Sequence, residues 1–544
     1  MPVTTRSSLM CLMALGCLWP VARARADERP SASIGEIARV ADEQLDRALA
    51  TAGVQPAPPA DEANLLRRLS LDLIGRIPTT AELQAWLAER TPEKRAQWID
   101  RLTTSPEFLA HQANELDALL MYGTKGSLQE YLTAALREGR HWDRIFTDLM
   151  LAREDGSGLK GADQFLKVRI KDTDRLTNDV SMLFFGVNIS CTQCHDHPLV
   201  DEWKQDHFYG LKSFFVRSFD NGGFLAEREY GVVSYKTPKG EDRAATLMFV
   251  SGTKPAEPAA AEPSNDEKKA ESTRFKEWAK QKVAPPAPKF SRRALLAELA
   301  LRSGENRFFA RSIVNRLWYR LMGYGLVMPL DQLRSENTAS HPELLDWLSR
   351  DLIANGYDLS RTIRGLVLSK AYARSSQWTK GERPKAELFA VAQVRPLSPL
   401  QLAASLRVAT TDPAFLAKTE DQAEASKRVA AIVNQSRSLA PLFEMPQGDF
   451  QVGTTEPLLF SNGERIANEL LGEGSDHLIG RLKQLASTNE RLDTAYAAVL
   501  SRRPEASETA LLAKYLDQRR ARPVEGLQQM VWALLSSAEF RFNY

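Results

Sequence analysis

Apolar residues recur every three to four positions along most of the chain, a spacing that predicts helices. In IGEIARVADEQLDRALATAG, Ile34, Ile37, Val40, Leu45 and Leu49 fall on one face. PAPPADEAN ends that segment, and EANLLRRLSLDLIG predicts a second helix stopped near Gly75 and Pro78. IPTTAELQAWLAER restarts the pattern, with Thr79 and Glu82 at capping-box spacing. The period continues through residues 91–151 and returns after residue 290, where Ser340 and Glu343 repeat the capping-box spacing with Pro342 in the first turn.

Strand signals are confined to residues 229–252, where two β-prone runs flank a Pro-Lys-Gly turn and predict a hairpin. Residues 254–289 are rich in Ala, Pro, Glu and Lys, bury little apolar surface and predict a linker. The expected fold is therefore mainly α, with two helical domains. Its parts are an N-terminal helical segment (27–59), a first domain (60–253), the linker (254–289) and a helical C-terminal domain (290–544). One phrase recurs at 102–111, 366–376 and 534–543: a helix end with Ser, then Pro or Ala, then an aromatic. A reused helix end with the aromatic packed inward accounts for it better than a docking repeat.

The N-terminus departs from this pattern. Arg6, an apolar stretch from Leu9 to Leu18 and Ala24-Arg25-Ala26 read as a secretory signal over residues 1–26. A lipid anchor at Cys17 is the rival, but Ala14 and Leu15 make a poor lipobox. No later apolar run approaches the roughly 18 residues that span a bilayer. The chain carries a formal charge of +2, and losing three arginines with the signal gives +2 − 3 = −1. A near-neutral chain argues against nucleic acid as partner and leaves an exported protein or redox partner as the expectation. Of the four cysteines only Cys191 and Cys194 remain, too few for a disulfide scaffold.

Those two cysteines stand in ISCTQCHDHPLVDEW, where Cys191-x-x-Cys194-His195 has the spacing of c-type haem attachment. Two thiols reach two vinyl groups, and the adjacent histidine, His195, is the proximal iron ligand. An exported chain agrees with that chemistry. MLFFGVNIS before the motif and DHFYGLKSFF after it offer aromatic and aliphatic cover for a macrocycle. Met182, His207 and Met248 are the distal candidates, and nothing chooses among them. A zinc-type or other divalent metal site is the alternative, with Cys191, Cys194, His197 and His207 as ligands, His195 in place of His197, and Asp196 or Asp201 orienting. A C-x-x-C disulfide or free dithiol in a non-catalytic scaffold or binding module is the third reading.

At these residues the sequence resembles a known pair of domains. ANLLRRLSLDLIGRIPTTAELQAWL, RLTTSPEF and LFFGVNISCTQCHDHPLVDEWKQDHFYGLKSFF are similar to the planctomycete cytochrome-like domain of unknown function. NRFFARSIVNRLWYRLMGYGLVMPLDQL, RPLSPLQLAASL and the closing MVWALLSSAEFRFNY resemble the planctomycete-specific C-terminal domain that follows it. The resemblance implies an exported two-part protein, with Cys191, Cys194 and His195 as the cytochrome-like motif and His197 completing its C-H-D-H run. His207 stands where a tyrosine or phenylalanine is expected, which weakens it as a general ligand. The resemblance implies haem through the motif and carries no established activity. Electron transfer or redox coupling to an unknown partner is the expectation from the motif and the export signal, and no enzyme class follows.

Elsewhere, Asn315 and Arg316 lie beside aromatics in SIVNRLWYR, where a helix with buried Trp318 and a solvated Arg face outweighs a binding groove. His341 precedes Pro342, a capping or surface position. The chain has no G-x-S-x-G, H-E-x-x-H or P-loop, and its carboxylates are dispersed.

Overall fold

Helix ends are set by the side chains that the sequence places there. The computed structural model describes residues 33–152, 160–259, 262–417, 422–443, 463–464 and 466–544, so the expected signal and Cys17 lie outside the described residues. Ser33 accepts from the Glu36 N–H and opens the helix Ile34–Ala52. Thr79 and Glu82 form the expected capping box of Thr80–Ala88. The box expected at Ser340 and Glu343 does not form. His341 holds the N-cap position with no side-chain cap. The Ser340 hydroxyl donates instead to the Leu326 carbonyl at 3.2 Å.

The recurring phrase is a packing device. The hydroxyls of Ser105, Ser369 and Ser537 each donate to the carbonyl three residues back at 2.7 Å. Each also accepts from the N–H three residues on, at Phe108, Tyr372 and Phe540. All three aromatic side chains are buried. The serine thus ties one helix end to the next turn and fixes where the ring enters the core.

The protein is mainly α, with three small antiparallel sheets among the described residues. β1 (Ser218–Asn221) pairs with β2 (Phe224–Glu227). β3 (Ser234–Lys236) and β4 (Asp242–Ala244) form the expected hairpin, whose turn includes Gly240 at φ 83°. β5 (Arg395–Pro396) pairs with β6 (Phe542–Asn543) near the C-terminus. The stretch expected as a linker contains the helix Asn265–Gln281, opened by a Ser264–Glu267 capping box. One aromatic anchors it: Phe275 is buried against Phe219 at a ring distance of 5.0 Å, and its carbonyl accepts from Asn221. Glu271 adds an ion pair with Arg228 at 3.6 Å, and composition alone undervalued these contacts.

A continuous apolar cluster runs from Ile37 to Phe389 and so includes residues on both sides of the predicted boundary. At its centre Trp142 stacks on Phe309 at 5.8 Å, and Phe146 meets Phe184 at 4.8 Å. A second cluster gathers Leu71 and Ile77 with residues of the last third of the chain. Between the two lies a polar node. Asp72, 3% exposed, accepts from both Arg395 nitrogens at 2.9 and 2.8 Å, from Tyr372 at 2.8 Å and from Asn543 at 2.9 Å. The sequence signal for it was Arg67, Arg68 and Asp72 inside the helix Glu62–Ile74, which is buried on every side from Leu65 onward.

Candidate functional site

The Cys-x-x-Cys-His stretch sits on a surface turn sewn to the C-terminal half. Helix Thr173–Phe185 stops at Gly186, whose φ of 67° suits glycine and whose missing Cβ leaves room for Leu333. The Gly186 carbonyl accepts from the Leu333 N–H at 2.9 Å, and the Asn188 N–H donates to Asp331 at 2.7 Å. Asn188 Oδ1 then accepts from the Ser190 N–H and hydroxyl at 3.1 and 2.7 Å, starting the 3₁₀ turn Ser190–Gln193. The N–H groups of Cys194 and His195 both donate to the Cys191 carbonyl.

Side chains of the next helix, Gln205–Lys212, clamp that turn. Gln205 donates to the Cys194 carbonyl at 3.1 Å, and the Tyr209 hydroxyl donates to the Gln193 carbonyl at 2.9 Å. Tyr209 stacks on Tyr235 of the hairpin at 4.1 Å. Tyr235 donates to Asp206, and burial followed by that bond pushes its pKa up to about 12. These clamps, Gln205 and Tyr209, were not singled out from sequence; their four-residue spacing on one helix was the available signal.

Cys191 and Cys194 are exposed and carry free thiols. The three neighbouring histidines differ in which nitrogen is engaged. His195 is exposed, and its Nδ1 lies 2.7 Å from the Asp196 carbonyl. A carbonyl only accepts, so Nδ1 carries the proton and Nε2 keeps its lone pair. His197 is the reverse: Nδ1 accepts from the Leu199 N–H at 3.1 Å, and the ring stands edge-on to Trp203. His207 likewise accepts at Nδ1, from the Lys204 N–H at 3.2 Å, reaching back to the start of its own helix. Neutral His197 and His207 therefore carry their protons on Nε2, with both lone pairs already spoken for. Burial, then Arg334, lowers the pKa of His197, and burial lowers that of His207. Among the described residues, no group of three or more His, Cys, Asp or Glu side chains is gathered as a metal site.

Apart from Tyr209, the flanking aromatics turn away from the motif. Phe184, Phe185, Phe208, Phe214 and Phe215 are fully buried in the main cluster, while Leu199 beside the motif is 61% exposed. An aromatic run near a cofactor motif has the same signature whether it faces the cofactor or the core, and here the core takes it. Of the distal candidates, Met248 is buried against Gly210, and Met182 is half-buried with its carbonyl accepting from Arg316.

The remaining candidates are structural. Asn315 is fully buried and pairs with both backbone groups of Val327, at 2.9 and 3.0 Å. Trp318 is buried as expected, but Arg316 is not solvated: it donates to the Met182 carbonyl, and burial lowers its pKa to about 10. His341 holds the N-cap position without a side-chain cap bond and is buried rather than on the surface, with its ring 5.6 Å from Phe389.

Residues 40–219 match the family model PSCyt2, described as a protein of unknown function (DUF1549). Residues 292–516 match PSD1, described as a protein of unknown function (DUF1553). The chain carries both domains, in that order. The DUF1549 match includes the motif turn, and the DUF1553 match includes the 331–333 segment to which the turn is sewn. No curated protein and no solved structure matches the chain. Among the described residues, no helix is long and apolar enough to cross a membrane.

Proposed function

We propose that this is an exported, c-type-haem-like protein that transfers electrons to or from a partner. The observation that carries the reading is the pairing of two free, exposed thiols with a histidine whose Nε2 lone pair is unused. That donor set fits the group. Cys191 and Cys194 would hold it as thioethers, each S–H adding across a vinyl C=C with the proton going to the neighbouring carbon, so no oxidant is consumed. His195 would offer Nε2 to the iron, its orientation fixed by the Nδ1–H bond to the Asp196 carbonyl. Gln205 and Tyr209 hold the backbone of the turn that carries these three side chains. When bound, haem supplies reversible one-electron chemistry. The N-terminal Ala24-Arg25-Ala26 pattern supports export, where such attachment takes place.

The zinc-type alternative is disfavoured by the histidines, because His197 and His207 each spend Nδ1 on a backbone N–H. Expression in a host competent for haem attachment tests the reading. A c-type spectrum lost in Cys191→Ser and Cys194→Ser supports it. Bare protein with stoichiometric zinc would replace it with the metal reading.

A further inference from the structure

Beside the motif lies a cavity of about 370 Å³ that the haem reading leaves unused. Small-molecule sites span about 300–1,000 Å³, so the volume suits a compact ligand. Its lining carries three guanidinium groups, Arg307, Arg311 and Arg334, against one carboxylate, Glu202. Among the described residues Arg307 and Arg334 make no ion pair, but Arg307 lies over the Phe308 ring at 5.2 Å and Arg334 is near enough to Glu336 to help lower its pKa; Arg311 pairs with Asp346 at 3.6 Å. The Ser335 hydroxyl lies 2.8 Å from Glu202 and 2.7 Å from Glu336 and donates to one of them at a time. Phe308 and the largely buried Trp203 are among the apolar lining residues. His207 also lines the space, and its engaged Nδ1 leaves Nε2–H as a neutral donor.

We propose that this cavity binds a small organic oxyanion: a carboxylate, sulfate ester or phosphate ester on a flat apolar body. Guanidinium forks match planar or tetrahedral oxyanions through paired N–H donors, and forks held in no close ion pair have donors to offer. The anionic end belongs against the guanidinium groups, and the apolar body belongs against the lining that includes Trp203 and Phe308. Trp203 also touches His197, so the ligand would sit one side chain away from the motif loop. The proposal stands apart from the haem reading, since it uses neither cysteine nor His195.

Isothermal titration of the full chain with benzoate, phenyl sulfate and phenyl phosphate tests it, with benzyl alcohol as the neutral control. At least one anion should bind at a single site with a Kd below about 1 mM. Arg307→Ala and Arg334→Ala should each weaken that binding about tenfold, with Arg334→Lys recovering part of the loss. Arg307 is exposed, so its variant should melt like the parent. The ranking of the three anions identifies the headgroup. Anions that bind no better than benzyl alcohol, or binding unchanged in both alanine variants, would overturn the proposal. The haem spectrum is read separately, so either reading can fail alone.

Discussion

Replacing Asp72 with alanine removes the acceptor at the centre of the polar node. Arg395 would lose two charge-assisted bonds at 2.9 and 2.8 Å, and Tyr372 and Asn543 one each. At 3% exposure for Asp72 and 19% for Arg395, water has little access to replace them. Removing one partner of a buried ion pair costs about 3–5 kcal/mol, chiefly because the other charge is stranded. With a urea dependence of about 3 kcal/mol per molar, the upper end for small proteins, the midpoint falls by about 1–1.7 M. Urea unfolding followed by tryptophan fluorescence measures that shift. The Arg395→Ala variant and the double variant complete a cycle, in which the double should cost well below the sum of the singles. A midpoint within about 0.3 M of the parent, or strict additivity, would refute the node as an energetic link between β5, β6 and the helix Glu62–Ile74.

Other outcomes follow from the same geometry. Gln205→Leu strips the donor from the Cys194 carbonyl, so hydrogen exchange at residues 190–195 should quicken while global unfolding moves by no more than about 1.5 kcal/mol; unchanged exchange would exclude the clamp. Gly186→Ala meets both a φ of 67° and a Cβ position 2.5 Å from the Leu333 side chain, and should cost about 1–3 kcal/mol in thermal unfolding, against none if that turn is slack. Burial alone would raise the pKa of Glu82, but Arg76 and the Thr79 bonds outweigh it and hold it below 4.5. Its contribution is complete above 4.5 and is lost as pH falls through the lower folded value. Glu82→Gln should therefore flatten the acid limb of the stability profile; an unchanged slope would contradict the pairing.

Helix positions were legible because burial follows the helical period, and the Ser-to-aromatic phrase was legible as a packing device. The motif was legible as a string of residue types. Its proton arrangement was not, because it depends on which backbone group faces each ring: the Asp196 carbonyl at His195, but the Leu199 and Lys204 N–H groups at His197 and His207. The aromatic flanks misled for a related reason, since hydrophobicity does not say which surface a ring meets. Asp72 and Arg395 stand 323 positions apart, and no local pattern joins them. The helix Asn265–Gln281 was hidden by its composition, against which stand the buried Phe275 ring, the Arg228–Glu271 ion pair and a capping box.

The most direct test is a pyridine haemochrome spectrum with an intact mass, on protein exported by a haem-attaching host. The account predicts a c-type spectrum and one haem of added mass, both abolished in the Cys191→Ser, Cys194→Ser double variant. A mass equal to the polypeptide alone, with no haem absorbance, would contradict it.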